Sequence, residues 1–137
     1  MNRNMNPSPT PSRQAGKTMI ERINTLLTVN LNKILKQEMS NANRINLYDV
    51  GEYWVAFEKS AYLLERLVKE DGEPVVLRLK NHPFPIVMQS IYYKRVNEMC
   101  HNQVLSKRTL EYLQFLTQPA DESSYGRWYE DLLVEND

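Results

Sequence analysis

The chain has 137 residues and a mass of 16.2 kDa, the size of one domain. Its 17 basic and 17 acidic residues sum to a net charge of zero, which argues against a histone-like or polybasic binder. At 42% apolar and 25% charged it has the composition of a soluble globular protein that buries a core, and it contains no apolar run of the ~18 residues that spanning a bilayer requires. The single cysteine, Cys100, excludes an internal disulfide framework and fits a reducing, cytoplasmic setting.

Residues 1–17 read MNRNMNPSPTPSRQAGK, with prolines alternating with Ser and Thr and no large aliphatic residue. Such a segment is expected to form a flexible tail and lacks the apolar stretch of a secretory signal. It carries Arg3, Arg13 and Lys17 without an acid, the charge of a leader or of an arm that touches a polyanion. Residues 18–134 are expected to form one globular domain, and 135–137 a frayed acidic end.

Thr18 and Glu21 form a capping box, and Ile20, Ile23, Leu27, Leu31, Ile34 and Leu35 make one stripe of a helix from Met19 to Met39. A polar break at Ser40 to Asn43 follows. Ile45 and Leu47 alternate with polar neighbours, which predicts a strand from Arg44 to Tyr48, a turn at Asp49 to Gly51 and a strand from Tyr53 to Phe57. Phe57, Ala61, Leu64 and Val68 then take the helical period, over Lys59 to Glu70, and Asp71-Gly72 ends it.

Val75, Leu77 and Leu79 predict a short strand, stopped by the turn around Asn81, Pro83 and Pro85. Ile86 to Ile91 fits a strand by β-branching, whereas Met88, Ile91, Tyr92, Val96 and Met99 fit one helix face. The longer period and the preceding Pro85 favour the helix. Ser106 is expected to cap another helix through Leu110, Leu113 and Thr117, ended by Pro119, and a last helix begins near Ser124 with Trp128, Leu132 and Leu133. The order implies an α/β (mixed α+β) domain: a small mixed sheet of about 3–4 strands packed by an N-terminal helix, a central helix and C-terminal helices.

Little catalytic chemistry is on offer. His82 and His101 have no Cys, Asp or Glu at metal-ligand spacing, so no metal or cofactor is expected. Cys100 and His101 are adjacent and diverge on a helix, unlike a facing nucleophile and base. Gly16-Lys17-Thr18 lacks the first glycine and the strand of a phosphate loop. Asp49, Glu52 and Glu58 are not paired across a cleft by anything in the sequence. The reading is non-enzymatic.

The zero total hides alternating blocks: net +5 over 1–44, −4 over 45–75, +5 over 76–110 and −6 over 111–137. The third block holds Arg78, Lys80, Lys94, Arg95, Lys107 and Arg108, interleaved with Phe84, Tyr92 and Tyr93. Cations beside flat rings suit phosphates and bases. The expected partner is therefore DNA or RNA, with those six residues on phosphates and Tyr53 or Trp54 stacking. The competing reading is a protein-interaction module or homodimer, with the acidic C-terminal helix and its Trp128/Leu132/Leu133 face meeting the basic block of a partner.

The stretch LYDVGEYWVAFEKSA, residues 47–61, is similar to the opening of the N-terminal mismatch-recognition domain of the MutS family of DNA mismatch-repair proteins. Gly51, Glu52, Tyr53, Trp54, Phe57 and Ala61 fall on that family's spacing, and HPFP at 82–85 loosely resembles its Val-Pro-Tyr turn before a helix. The resemblance covers 45–70 and, more loosely, extends to 100. It implies a mixed sheet packed by helices, with Tyr53 in the place of the Phe that wedges beside a mispaired base. The place of that family's base-bonding Glu is Val55, which has no hydrogen-bonding group. The clamp, connector and ATPase parts of the family have no counterpart here. The resemblance thus implies an isolated, repurposed domain of that fold.

Overall fold

The computed structural model describes residues 17–69 and 72–136, so Arg3 and Arg13 of the basic tail lie outside the described residues. Helix α1 spans Met19–Met39 and opens on the expected capping box: the Thr18 hydroxyl accepts from Glu21 N–H at 3.1 Å, and Glu21 Oε1 accepts from Thr18 N–H at 2.8 Å. Strands β1 (Arg44–Asp49) and β2 (Tyr53–Phe57) form the expected hairpin. Gly51 turns it at φ +120°, and Asp49 Oδ1 accepts from Gly51 N–H at 2.9 Å. Helix α2 (Glu58–Leu67) follows without a linker, and β3 spans Val75–Leu77.

The next segments correct the sequence reading. Residues Ile86–Tyr92 are strand β4, and helix α3 begins only at Tyr93, ending at Asn102. The expected helix after Ser106 is instead a hairpin of β5 (Val104–Arg108) and β6 (Tyr112–Leu116), closed by Thr109 N–H donating to Tyr112 O at 2.8 Å. Helix α4 spans Glu122–Glu135, capped by Asp121.

Among the described residues the strands form one six-stranded sheet in the order β3-β4-β2-β1-β6-β5, not three or four strands. Every pairing is antiparallel, so the expected mixed sheet is corrected too. The mixed α+β class holds. β4 looked helical because it is a central strand covered on both faces: Ile86 and Met88 face α1, while Val87 and Ile91 face α2. A strand apolar on both faces carries no period of two to distinguish it from a buried helix.

The core therefore has two layers. Under α1, Ile23, Leu27 and Ile34 pack on Val55, Phe57, Ile86 and Met88. On the other face, Ile45, Leu47, Ala56, Leu113 and Phe115 meet Ala61 and Leu64 of α2 and Val96 and Met99 of α3, with Trp128 and Leu132 of α4 at the border. Phe57 is fully buried, and truncating such a ring to Ala costs about 3–5 kcal/mol. Among the described residues no helix is long and apolar enough to cross a membrane.

Candidate functional site

The hairpin end of the sheet gathers aromatic rings and basic groups. Tyr53 opens β2 and Tyr92 closes β4; they are cross-strand partners with ring centroids 5.4 Å apart. Tyr93 lies 4.9 Å from Tyr92, and its N–H donates to Glu52 O at 2.9 Å, which ties the start of α3 to the hairpin. Tyr53 is 37% exposed and the other two are half-buried. Lys94 and Arg95 follow directly on α3; Lys94 is exposed, and Arg95 Nε lies 3.5 Å from Glu98. Desolvation, then Tyr93 and Glu52, hold the Tyr92 phenol above its ordinary pKa, so it stays a neutral donor. α1 begins at this same end, where Arg22 Nη1 approaches Gly51, and the exposed Lys17 precedes it.

The remaining expected site residues are spread out. Trp54 points to the opposite face and packs half-buried against the core under α2. Arg78 and Lys80 follow β3 at one sheet edge, while Lys107 and Arg108 lie on β5 at the other. Five strand spacings separate those edges, roughly 24 Å. Of the six cations, only Lys94 and Arg95 follow the tyrosines directly in the chain, and the Arg95 side chain turns toward Glu98 and a cleft it lines with Leu67 and Val68. Trp128 and Leu132 of the expected dimer face pack within this chain, and Trp128 Nε1 donates to Glu65 Oε1 at 2.8 Å.

The opposite end of the sheet holds groups that the sequence reading missed. Glu38, 4% exposed on α1, accepts from Ser60 N–H at 2.9 Å, Ser60 Oγ at 2.6 Å, Asn46 Nδ2 at 3.0 Å and Asn41 Nδ2 at 3.1 Å. Burial pushes its carboxyl pKa up against the pull of those donors. Its signal in the sequence was a carboxylate at the stripe position four residues after Ile34.

Glu58 begins α2 at φ +53°, the one positive φ on a non-glycine among the described residues. β2 ends at the pair Phe57–Met88, so Val87 is the next donor along β4, and Glu58 Oε1 accepts from its N–H at 2.8 Å. The side chain thus continues the ladder that the turning backbone leaves. Burial raises the Glu58 pKa to about 7, with the Val87 N–H opposing and Glu38 reinforcing. Glu58 lines a cleft of about 510 Å³ with Lys59, His82, Tyr125 and Tyr129. Lys59 is paired with Glu122 and lies 5.4 Å from the Tyr125 ring centre. Burial and the nearby Glu58 push the Tyr129 phenol up to about 12.

Cys100 packs partly against the core and His101 of the same helix is exposed. Among the described residues no group of three or more His, Cys, Asp or Glu is placed to hold a metal ion. Comparison with protein-family models, with curated proteins and with solved structures finds no match to this chain.

Proposed function

We propose that this protein is a non-enzymatic nucleic-acid-binding module that holds a single strand at the hairpin end of its sheet. One observation carries the reading: the Tyr92 ring is in contact range of both Tyr53 and Tyr93, and Lys94 and Arg95 follow directly at the start of α3. Exposed rings stack on unpaired bases of any sequence, and cations neutralise the phosphates between them. The MutS resemblance puts the base-wedging position on the same Tyr53. Val55, at the place of that family's base-bonding Glu, is fully buried under α1, so the contact is stacking without base readout. Toward a strand held at this end, Arg78, Lys80, Lys107 and Arg108 act as long-range attraction, which salt screens over ~10 Å.

The test is fluorescence anisotropy with labelled single- and double-stranded DNA and with RNA, at two salt concentrations. Single strands bind more tightly than duplex, and two phosphate contacts give a log–log salt slope of about −1.4. Absence of binding at low salt, or equal affinity for duplex, rejects the reading.

A second reading, a protein partner or a second copy of this chain, is favoured by the β5 edge. There Val104 is 63% exposed on an edge strand. It predicts a mass that rises with protein concentration and depends weakly on salt.

A further inference from the structure

A second cavity, of about 410 Å³, lies under the sheet between α1 and strands β1, β5 and β6. Its volume is within the range of ~300–1,000 Å³ usual for small-molecule sites. Tyr48 and Tyr112 form its aromatic wall, their ring centroids 5.4 Å apart. Asn30 and Gln37 bring side-chain amides from α1, and Lys33 and Lys107 bring cations from opposite sides, α1 and β5. A smaller space of about 140 Å³ shares Asn30 and Tyr48 with it and reaches Arg22.

The polar groups here are not all satisfied. The Tyr48 hydroxyl is buried and has no hydrogen-bond partner, and neither has Nε of Arg22, a residue 5% exposed. Such groups cost about 1–3 kcal/mol each, and, shut off from solvent, they lie behind the cavity wall rather than on it. Flat rings, amides and two cations together match a planar heterocycle that carries a phosphate. A lipid would leave the amides unpaired, and a bare anion would leave the ring wall empty.

We propose that this cavity binds one nucleotide, with the heterocycle along the Tyr48–Tyr112 wall, a polar edge on the Asn30 and Gln37 amides, and the phosphate on Lys33 and Lys107. The proposal shares its ligand chemistry with the proposed function, but it rests on different residues. The nucleotide comes either free in solution or as the phosphorylated end of a strand.

The experiment is calorimetric titration and thermal unfolding of the full chain with the four 5′-ribonucleoside monophosphates, and with tetranucleotides with and without a 5′-phosphate. At least one of these ligands binds and raises the melting temperature. Asn30→Ala weakens that binding about tenfold. Lys33→Ala weakens it as well, while Lys94→Glu/Arg95→Glu leaves mononucleotide binding unchanged, which separates this site from the tyrosine cluster. Binding of free mononucleotides assigns the solution source; binding of the 5′-phosphorylated tetranucleotide alone assigns the strand end. The proposal is overturned if none of the ligands binds at millimolar concentration, or if Asn30→Ala and Lys33→Ala bind as the parent does.

Discussion

Tyr48 and Tyr112 are cross-strand partners on β1 and β6, yet their hydroxyls differ completely. Tyr112 Oη donates to Asn46 Oδ1 at 2.5 Å and accepts from Gln37 Nε2 at 3.0 Å and Gln114 Nε2 at 3.0 Å. Tyr48 Oη, equally shielded from water, has no partner. Tyr112→Phe therefore leaves three polar groups short of a bond and is expected to destabilise the fold by about 2 kcal/mol, whereas Tyr48→Phe removes an unpartnered hydroxyl and is expected to leave stability unchanged or raise it. Urea unfolding of the two variants checks the contrast; equal losses would contradict it.

Ser60 is the hub on the other side of the same polar layer. Its hydroxyl donates to Glu38 and accepts from Asn46 N–H at 2.9 Å, with no exposure to solvent. Ser60→Ala leaves a buried carboxylate one donor short and a backbone N–H unpaired. The expected cost is ~3 kcal/mol, read as a lower urea midpoint at unchanged slope.

Stability is expected to fall from mildly acidic to neutral pH. Glu58 is pushed from its ordinary 4.5 to about 7 by burial, so the folded state holds a proton that the unfolded chain has released. A raised carboxyl favours the fold below about pH 4.5 and loses that contribution as pH rises through about 7. Glu38 shifts in the same direction. Allowing for the solvent that reaches the cleft, the Glu58 part is ~2 kcal/mol. Glu58→Gln keeps an acceptor for Val87 N–H and is expected to flatten the profile between pH 5 and pH 7.5; an unchanged profile would show that Glu58 is not its source.

Gly51 is held at φ +120°, and a Cβ there would sit 3.0 Å from Arg22 Nη1. Gly51→Ala is expected to cost more than ~1 kcal/mol in thermal unfolding, and to weaken nucleic-acid binding by shifting the adjacent Tyr53. Gly72, at φ +111° with nothing near its Cβ position, carries only the backbone part of that cost.

The first half of the chain was legible because each signal there was local. The Thr18–Glu21 box and the alternation around Gly51 appear as expected, and the α1 stripe does from Ile23 to Leu35, while Ile20 is exposed on the first turn. The stretch from 86 to 116 was not, because its strands pair across the whole sheet. Leu110, Leu113 and Leu116 mimic a helical spacing, yet Leu113 is core while Leu110 sits exposed in the β5–β6 turn. Of the expected site, Tyr53 comes to lie against Tyr92, two residues before Lys94, because β2 pairs with β4, a contact between residues far apart in sequence. The same topology sends Lys80 and Lys107 to opposite edges, which a charge count along the chain does not reveal.

The central claim is that the tyrosine cluster with Lys94 and Arg95, and not the basic block as a whole, holds the strand. The direct measurement is single-stranded DNA affinity, at low and physiological salt, of three double variants: Lys94→Glu/Arg95→Glu, Arg78→Glu/Lys80→Glu and Lys107→Glu/Arg108→Glu. The account predicts at least a tenfold loss for the first and less than threefold for each of the others, with the difference persisting at the higher salt. Equal losses in all three, or a dominant loss at either sheet edge, would contradict it.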